Sequence, residues 1–282
     1  MDDYKSLLPA DGTNTYSAAR SLELHWPPVA EITCRSVLRV VRELMAADAG
    51  EVLFTAVQKW AYANDQGDYG TFVRRIKKLD RQYYPRMIQV LSNGQIESKL
   101  WLIEMLKTVL PERPYNIYLL GGWYGMLGLM MLWLMPGHFR RMWSFDIDPE
   151  CEKVMDMIAR QHLWAENWEM RPATFDMYHL PLGAPDGLDE EFLRSFSIPE
   201  QGPDIIINTS CEHLQEFSLW YDRIPKGKVV VLQSNNFFEW KEHVNCVDSI
   251  QAFKASAPMD TVLYEGSMSL QDYERYMLIG VR

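Results

Sequence analysis

Cysteine is scarce and never paired in this chain. Its 282 residues hold 4 cysteines, Cys34, Cys151, Cys211 and Cys246, set far apart, and no CxxC occurs. At this length a disulfide framework is not expected, and reduced thiols in the cytoplasm are. The first residues, MDDYKSLLPADG, are acidic and contain no apolar stretch, so no secretory signal peptide is expected there. Positive charge is also in short supply: 28 Lys+Arg stand against 38 Asp+Glu, a formal net charge of −10. That balance repels phosphate backbones and argues against generic nucleic-acid binding. No GK[ST] is present, so an ATP-type phosphate loop is excluded. The rest is ordinary globular material, 48% hydrophobic and 23% charged, which rules out wholesale disorder. The excess lies in 10 Trp and 16 Met, which fit either a bulky core or an aromatic, polarizable pocket.

One stretch tests for a membrane span. No charged residue occurs from Pro114 to Phe139, and Ile117–Met135 is long enough to cross a bilayer. Gly121, Gly122, Gly125 and Gly128 punctuate it, and the β-rich RMWSFDID follows. A buried strand, a tight turn and a buried helix account for this better than one spanning helix, so no membrane partner is expected.

The first 110 residues read as helical. Apolar positions Val37, Val40, Val41 and Leu44 predict an amphipathic helix from Thr33 to about Ala47, and similar patterns predict helices over Val52–Ala63, Phe72–Leu91 and Gln95–Leu110. Pro111 and Pro114 close the last of these. The basic residues Arg74, Arg75, Lys77, Lys78 and Arg81 read as a solvated helix face or as a docking place for an acidic partner. After Tyr115 strands alternate with helices. Strands are expected at Asn116–Leu120, Met142–Ile147, Met170–Phe175, Asp204–Asn208, Lys228–Gln233, Thr261–Tyr264 and Tyr273–Val281, and the last two are close enough for an antiparallel hairpin. Helices are expected at Met126–Met135, Glu150–Leu163 and Val247–Ala255, and Pro181–Gly202 reads as an excursion beside the sheet. The alternation implies an α/β fold with a mostly parallel sheet, residues 111–282, behind a helical cap or lid, residues 1–110.

In an open α/β sheet, ligands bind beyond the carboxyl ends of the strands. The first such end is LLGGWYG, whose glycines let backbone approach a nucleotide-like ligand ahead of a helix N-terminus. The second is FDIDP: Asp146 suits hydrogen bonds to ribose hydroxyls, and Asp148 suits the N-cap before Pro149. The third is TFDMY, where Asp176 can accept from an adenine amino group. Together these ends resemble the class I S-adenosylmethionine (SAM)-dependent methyltransferases over Tyr115–Arg282. The resemblance implies a Rossmann-like core of seven mostly parallel strands closed by an antiparallel C-terminal hairpin, and SAM as cofactor. It implies cofactor contacts at Gly121, Gly122, Trp123, Tyr124, Gly125, Asp146, Ile147, Asp176, Met177 and Asn208. Trp123 and Tyr124 are candidates to flank the cationic sulfonium, or else pack against the helical region. Leu119 stands where the family usually has an acidic residue, and Trp123 stands in place of the middle glycine. A dinucleotide dehydrogenase is the rival reading of the same elements.

At the fourth end, DIIINTSCEHL, Asn208-Thr209-Ser210 replaces the Asn/Asp-Pro-Pro-aromatic motif of enzymes that methylate base or glutamine amino groups. Asn208 and Ser210 can orient a nucleophile or cap the next helix. At the fifth end, Gln233, Ser234, Asn235 and Asn236 predict a polar, substrate-facing rim. Adjacent fourth and fifth strands would bring Cys211, Glu212 and His213 near Glu242, His243 and Cys246. His243 is the preferred general base, with His213 beside it. A zinc site from this group matches no familiar spacing. From the prefix, Tyr84 and Gln95 are placed over the substrate. The expected activity is methyl transfer from SAM to a small-molecule acceptor. The alternatives are aminocarboxypropyl transfer or azetidine-forming cyclisation, resembling nicotianamine synthase and releasing methylthioadenosine, and a cofactor-free interaction module. A homodimer stays open.

Overall fold

The computed structural model describes residues 33–163, 169–183, 197–198 and 202–282. The chain divides into two compact units, one reaching Glu97 and joined by Asp156–Arg160, the other made of Ser98–Met155 and Gln161–Arg282. The division falls inside a helix rather than at the prolines after residue 110.

The first unit is helical. Helix α1 (Cys34–Ala46) opens with a reciprocal cap, in which the Thr33 hydroxyl accepts from the Ser36 N–H and the Ser36 hydroxyl accepts from the Thr33 N–H. Its Val37, Leu38, Val41 and Leu44 are fully buried. Helix α2 (Glu51–Ala63) and helix α3 (Gly67–Lys77) follow. The single helix expected over Phe72–Leu91 is broken. The Asp80 carboxylate accepts from the Gln82 N–H and starts a separate turn at Arg81–Tyr83. Helix α4 (Tyr84–Val90) then restarts with Pro85 in its first turn, where a missing N–H costs nothing. Arg81 of the basic cluster pairs with Asp48 at 2.7 Å on the surface. Helix α5 (Asn93–Val109) begins in the first unit and ends in the second.

The second unit is a seven-stranded sheet in the order β3-β2-β1-β4-β5-β7-β6. Its strands are β1 (Tyr115–Leu120), β2 (Phe139–Asp146), β3 (Met170–Thr174), β4 (Ile205–Asn208), β5 (Val229–Asn235), β6 (Thr261–Ser269) and β7 (Glu274–Val281). Strands β1 to β5 pair in parallel, and β7 lies antiparallel between β5 and β6. Helices α6 (Met126–Leu134), α8 (Phe217–Asp222) and α9 (Ile250–Ser256) complete it, together with α7 (Pro149–Leu163) apart from its Asp156–Arg160 stretch. Helix α8 was not expected from the sequence. Most of Pro181–Gly202 lies outside the described residues.

Burial on both faces explains the unbroken apolar runs of the central strands. On one face Tyr118, Trp143, Phe145, Trp220 and Tyr221 build an aromatic core, with Tyr118 meeting Phe145 edge-on at 5.0 Å. Towards the other, Gly128 of α6 lets that helix approach closely, since a Cβ there would stand 2.4 Å from Met170 and 3.2 Å from Leu119 and Met142. Met126, Met130 and Met131 of α6 are buried, so the surplus methionine there is core. The charge-free stretch is thus strand, turn and helix, and no described helix is long and apolar enough to cross a membrane.

Candidate functional site

Strand β1 lies between β2 and β4, so the connections leave it in opposite directions and open a crevice at its carboxyl end. Gly121 and Gly125 both adopt left-handed backbone, with φ of +62° and +70°, and Trp123 does so without being glycine, at +51°. Gly122 has no room for a side chain, because a Cβ would lie 2.0 Å from the Ser144 hydroxyl. The Gly125 N–H closes the turn on the Gly122 carbonyl at 2.9 Å. Backbone strain at a non-glycine residue persists only where its surroundings enforce it. Here the enforcing group is Asp146: its Oδ2 accepts from the Trp123 N–H at 2.9 Å, while its Oδ1 accepts from the Asp148 N–H at 3.0 Å. One half-buried carboxylate therefore ties the β1 loop to the end of β2, with lone pairs to spare on both oxygens. Asp148 caps α7 by accepting from the Glu150 N–H at 2.9 Å.

The neighbours of Asp146 differ in kind. Ile147, the residue after β2, is an apolar side chain 71% exposed. Tyr124 is fully buried and donates its phenol hydrogen to Glu150, so it braces the loop against α7. Trp123 is half-buried beside it, with ring centroids 6.5 Å apart. Asp176 spends Oδ1 on the Tyr178 N–H at 2.9 Å and has His179 Nδ1 at 3.1 Å from Oδ2. Met177 and Ser210 both lie next to Gly121, at 3.7 and 3.5 Å from where its Cβ would be. Asn208, opposite Leu120 in the sheet register, accepts the Ser210 N–H at 2.9 Å and donates to the Met177 sulfur at 3.5 Å. The structure thus brings Gly121, Met177, Asn208 and Ser210 together.

The β4 and β5 ends are built otherwise. Strand β5 runs on to Asn235, so Gln233, Ser234 and Asn235 are buried strand residues and not an exposed rim. They stay in the sheet because β7 pairs with them, Asn235 standing opposite Arg275. Asn236 continues the pairing through the Glu274 backbone. At the centre lies a buried ion pair, Arg275 to Glu212 Oε1 at 3.1 Å. Asn235 also donates to Glu212 Oε1 at 2.8 Å, the Arg275 guanidinium donates to the Thr209 carbonyl, and Gln233 bonds Arg275 and the Ser98 carbonyl at 3.3 and 3.2 Å. Lys99 is buried nearby; burial first, then Arg275, pushes its ammonium down to about 7, while Glu212 opposes them. Burial likewise pushes the Cys246 thiol up to about 11 and the Cys211 thiol well above its ordinary value.

Above this network stand the two histidines. His213 and His243 meet edge-to-face, with ring centroids 4.8 Å apart. Each gives its Nδ1–H to a carbonyl, His213 to Glu242 at 3.0 Å and His243 to Phe237 at 2.8 Å, which fixes Nε2 as the basic nitrogen. Tyr84 and Gln95 belong to the first unit, where Tyr84 is buried and Gln95 half-buried.

Sequence reading overlooked Arg275 and Lys99. Both left a signal. Arg275, with Glu274 just before it, stands at the head of the apolar run YMLIGV, and Lys99 sits three residues after Ile96 and four before Ile103, on the apolar face of α5.

No family model matches the chain, and no curated protein matches its sequence. Similar solved structures include the N-methyltransferase NodS from Bradyrhizobium japonicum WM9 with S-adenosyl-L-homocysteine, at 13% identity and a TM-score of 0.49 over 68% of this chain and 88% of that one. The magnesium protoporphyrin IX methyltransferase ChlM from Synechocystis PCC 6803 with bound SAM is 13% identical, with a TM-score of 0.47 over 68% and 83%. The [4+2]-cyclase SpnF is 8% identical, with a TM-score of 0.49 over 68% and 83%. The chain's own strand order, five parallel strands followed by an antiparallel closing pair, gives it the Rossmann-like fold of the class I methyltransferase type.

Proposed function

We propose that the chain is a SAM-dependent transferase acting on a small-molecule acceptor, with methyl transfer as the reaction. The observation that carries this reading is the tie between Asp146 and the Trp123 N–H, which holds a glycine-rich loop in left-handed backbone directly beside a carboxylate with acceptor capacity left. When bound, SAM supplies a methyl carbon made electrophilic by the sulfonium. The chain's residues do the holding and orienting. Bare backbone at Gly121 permits close approach, Asp146 accepts from ribose hydroxyls, and exposed Ile147 covers an adenine face. Trp123 offers an aromatic face to a cation. Asn208 and Ser210, grouped with Gly121 and Met177, are assigned to the amino-acid end of the cofactor. Proton removal from the acceptor falls to the histidine pair, His243 first, whose Nε2 is basic because Nδ1–H is spent on Phe237. Orientation supplies the remainder of the rate. The helical first unit, with Tyr84 and Gln95, is the proposed cap. The net charge of −10 favours a small acceptor over a nucleic acid.

Incubation with SAM and mass spectrometry of the nucleoside products tests the reaction. S-adenosylhomocysteine formed in the presence of an acceptor pool supports methylation. Methylthioadenosine instead replaces it with aminocarboxypropyl transfer or cyclisation.

A further inference from the structure

Glu212 has an oxygen with nothing to bond. Its side chain is 4% exposed, and Oε1 takes both the Arg275 and Asn235 donors, yet Oε2 is buried without any hydrogen-bond partner. A buried carboxylate oxygen left unpaired keeps its desolvation cost uncompensated, and such an oxygen calls for a water or an ion. Next to it are the two histidines. One donor atom from each of Glu212, His213 and His243 lies within 4.8 Å of the others.

Three features of this group match what a metal site needs. Both imidazoles give Nδ1–H to a backbone carbonyl, the outer contact that orients ligating histidines and leaves Nε2 to coordinate. The carboxylate is itself oriented by Asn235 and Arg275, so only one oxygen is left for an ion. Coordination at 2.0–2.2 Å asks neighbouring donor atoms to stand about 3–3.5 Å apart, which side-chain rotation can reach from 4.8 Å. His213 is exposed, so the cluster opens to solvent on one side and is closed by Glu212 on the other.

We propose that Glu212 Oε2, His213 Nε2 and His243 Nε2 form a divalent transition-metal site, with Zn2+ as the ion two imidazoles and one carboxylate suit. Three protein ligands leave a coordination position open on the exposed side. An acceptor hydroxyl or a water placed there is acidified by the ion. With Nε2 on the metal, His243 acts on the acceptor's proton through the ion rather than by taking it. The inference goes beyond the proposed function, replacing His243 as the direct base, and does not depend on the cofactor, because Gly121 to Asp146 contribute nothing to the ion.

The test uses the full-length chain stripped with chelator and then titrated with Zn2+ and, separately, Co2+ without SAM. The expected result is one ion per chain retained through desalting, visible Co2+ absorption bands, and a higher Tm with Zn2+. His213→Gln and His243→Gln should each weaken binding by more than the roughly 10–100-fold that loss of an outer-shell partner costs. Glu212→Gln should weaken it similarly where that variant folds. The histidine variants, at exposed or half-buried positions, keep the test decisive where it does not. No stoichiometric ion in the wild type, or unchanged affinity in the His213→Gln/His243→Gln double variant, overturns the site. SAM titration of the same samples separates the two readings: ion without SAM binding leaves the metal site standing alone, and SAM binding without ion removes the metal site alone.

Discussion

The two halves of the sheet's carboxyl edge are built on opposite plans. At the β1 and β2 ends, polar groups are satisfied by nearby backbone: Asp146 by Trp123 and Asp148, Asp148 by Glu150, Gly125 by Gly122. At the β4 and β5 ends, buried side chains bond one another across the fold, through Glu212, Arg275, Asn235 and Gln233, with Glu212 Oε2 left over. The first plan yields a shaped backbone surface for a ligand. The second yields a rigid charged floor, which costs desolvation and returns a fixed geometry.

The comparison breaks most visibly at the floor. Arg275→Met leaves the Glu212 charge buried and uncompensated, and is expected to destabilise the second unit by about 3–5 kcal/mol. Denaturant titration checks this, and a loss below about 1 kcal/mol would mean the floor is not held by the pair. At the loop, Gly125→Ala meets both φ of +70° and the Met155 side chain, whose atoms begin 2.5 Å from a Cβ. A loss of about 1–3 kcal/mol in stability is expected, accompanied by weaker SAM binding. Asp146→Ala separates ligand from scaffold. It should weaken SAM by about 1–3 kcal/mol in calorimetry, while the metal affinity of the β4/β5 cluster stays unchanged.

The smallest effect concerns pH. Burial raises the Cys34 thiol from 9.0 to about 12, opposed by Arg35. The unfolded chain releases that proton near pH 9 and the folded chain does not, so the folded state binds more protons above pH 9 and stability falls as pH rises from 9 towards 12. Cys34→Ala should lessen that alkaline loss in thermal melts across pH 8–10. Thiol reagents at pH 8 should reach half-buried Cys246 before Cys34, Cys151 and Cys211.

How much was legible in the sequence follows the same division. Helix α1 was readable because its cap and its apolar period lie within one segment. Gly121, Asp146 and Asp148 were readable because strand ends announce themselves by local spacing. The Phe72–Leu91 helix was misread because Asp80 and Pro85 punctuate it while its apolar pattern runs on. Gln233, Ser234 and Asn235 were read as a rim because polar residues after an apolar run resemble a strand's end. Their reason for burial, Arg275, lies 42 residues beyond Gln233. Glu212 and Arg275 are 63 residues apart and meet only through the β5–β7 register. No period or local motif encodes such a pairing. A charged residue on an apolar face or at the head of an apolar run, as at Lys99 and Arg275, is the trace it leaves.

The most direct test of the central claim is calorimetric titration of SAM into the wild-type chain and into Asp146→Ala, with folding checked by circular dichroism. The account predicts saturable binding by the wild type and binding roughly 5–150-fold weaker in the folded variant. No binding of SAM or S-adenosylhomocysteine by the folded wild type, or equal affinity in the two proteins, would contradict it.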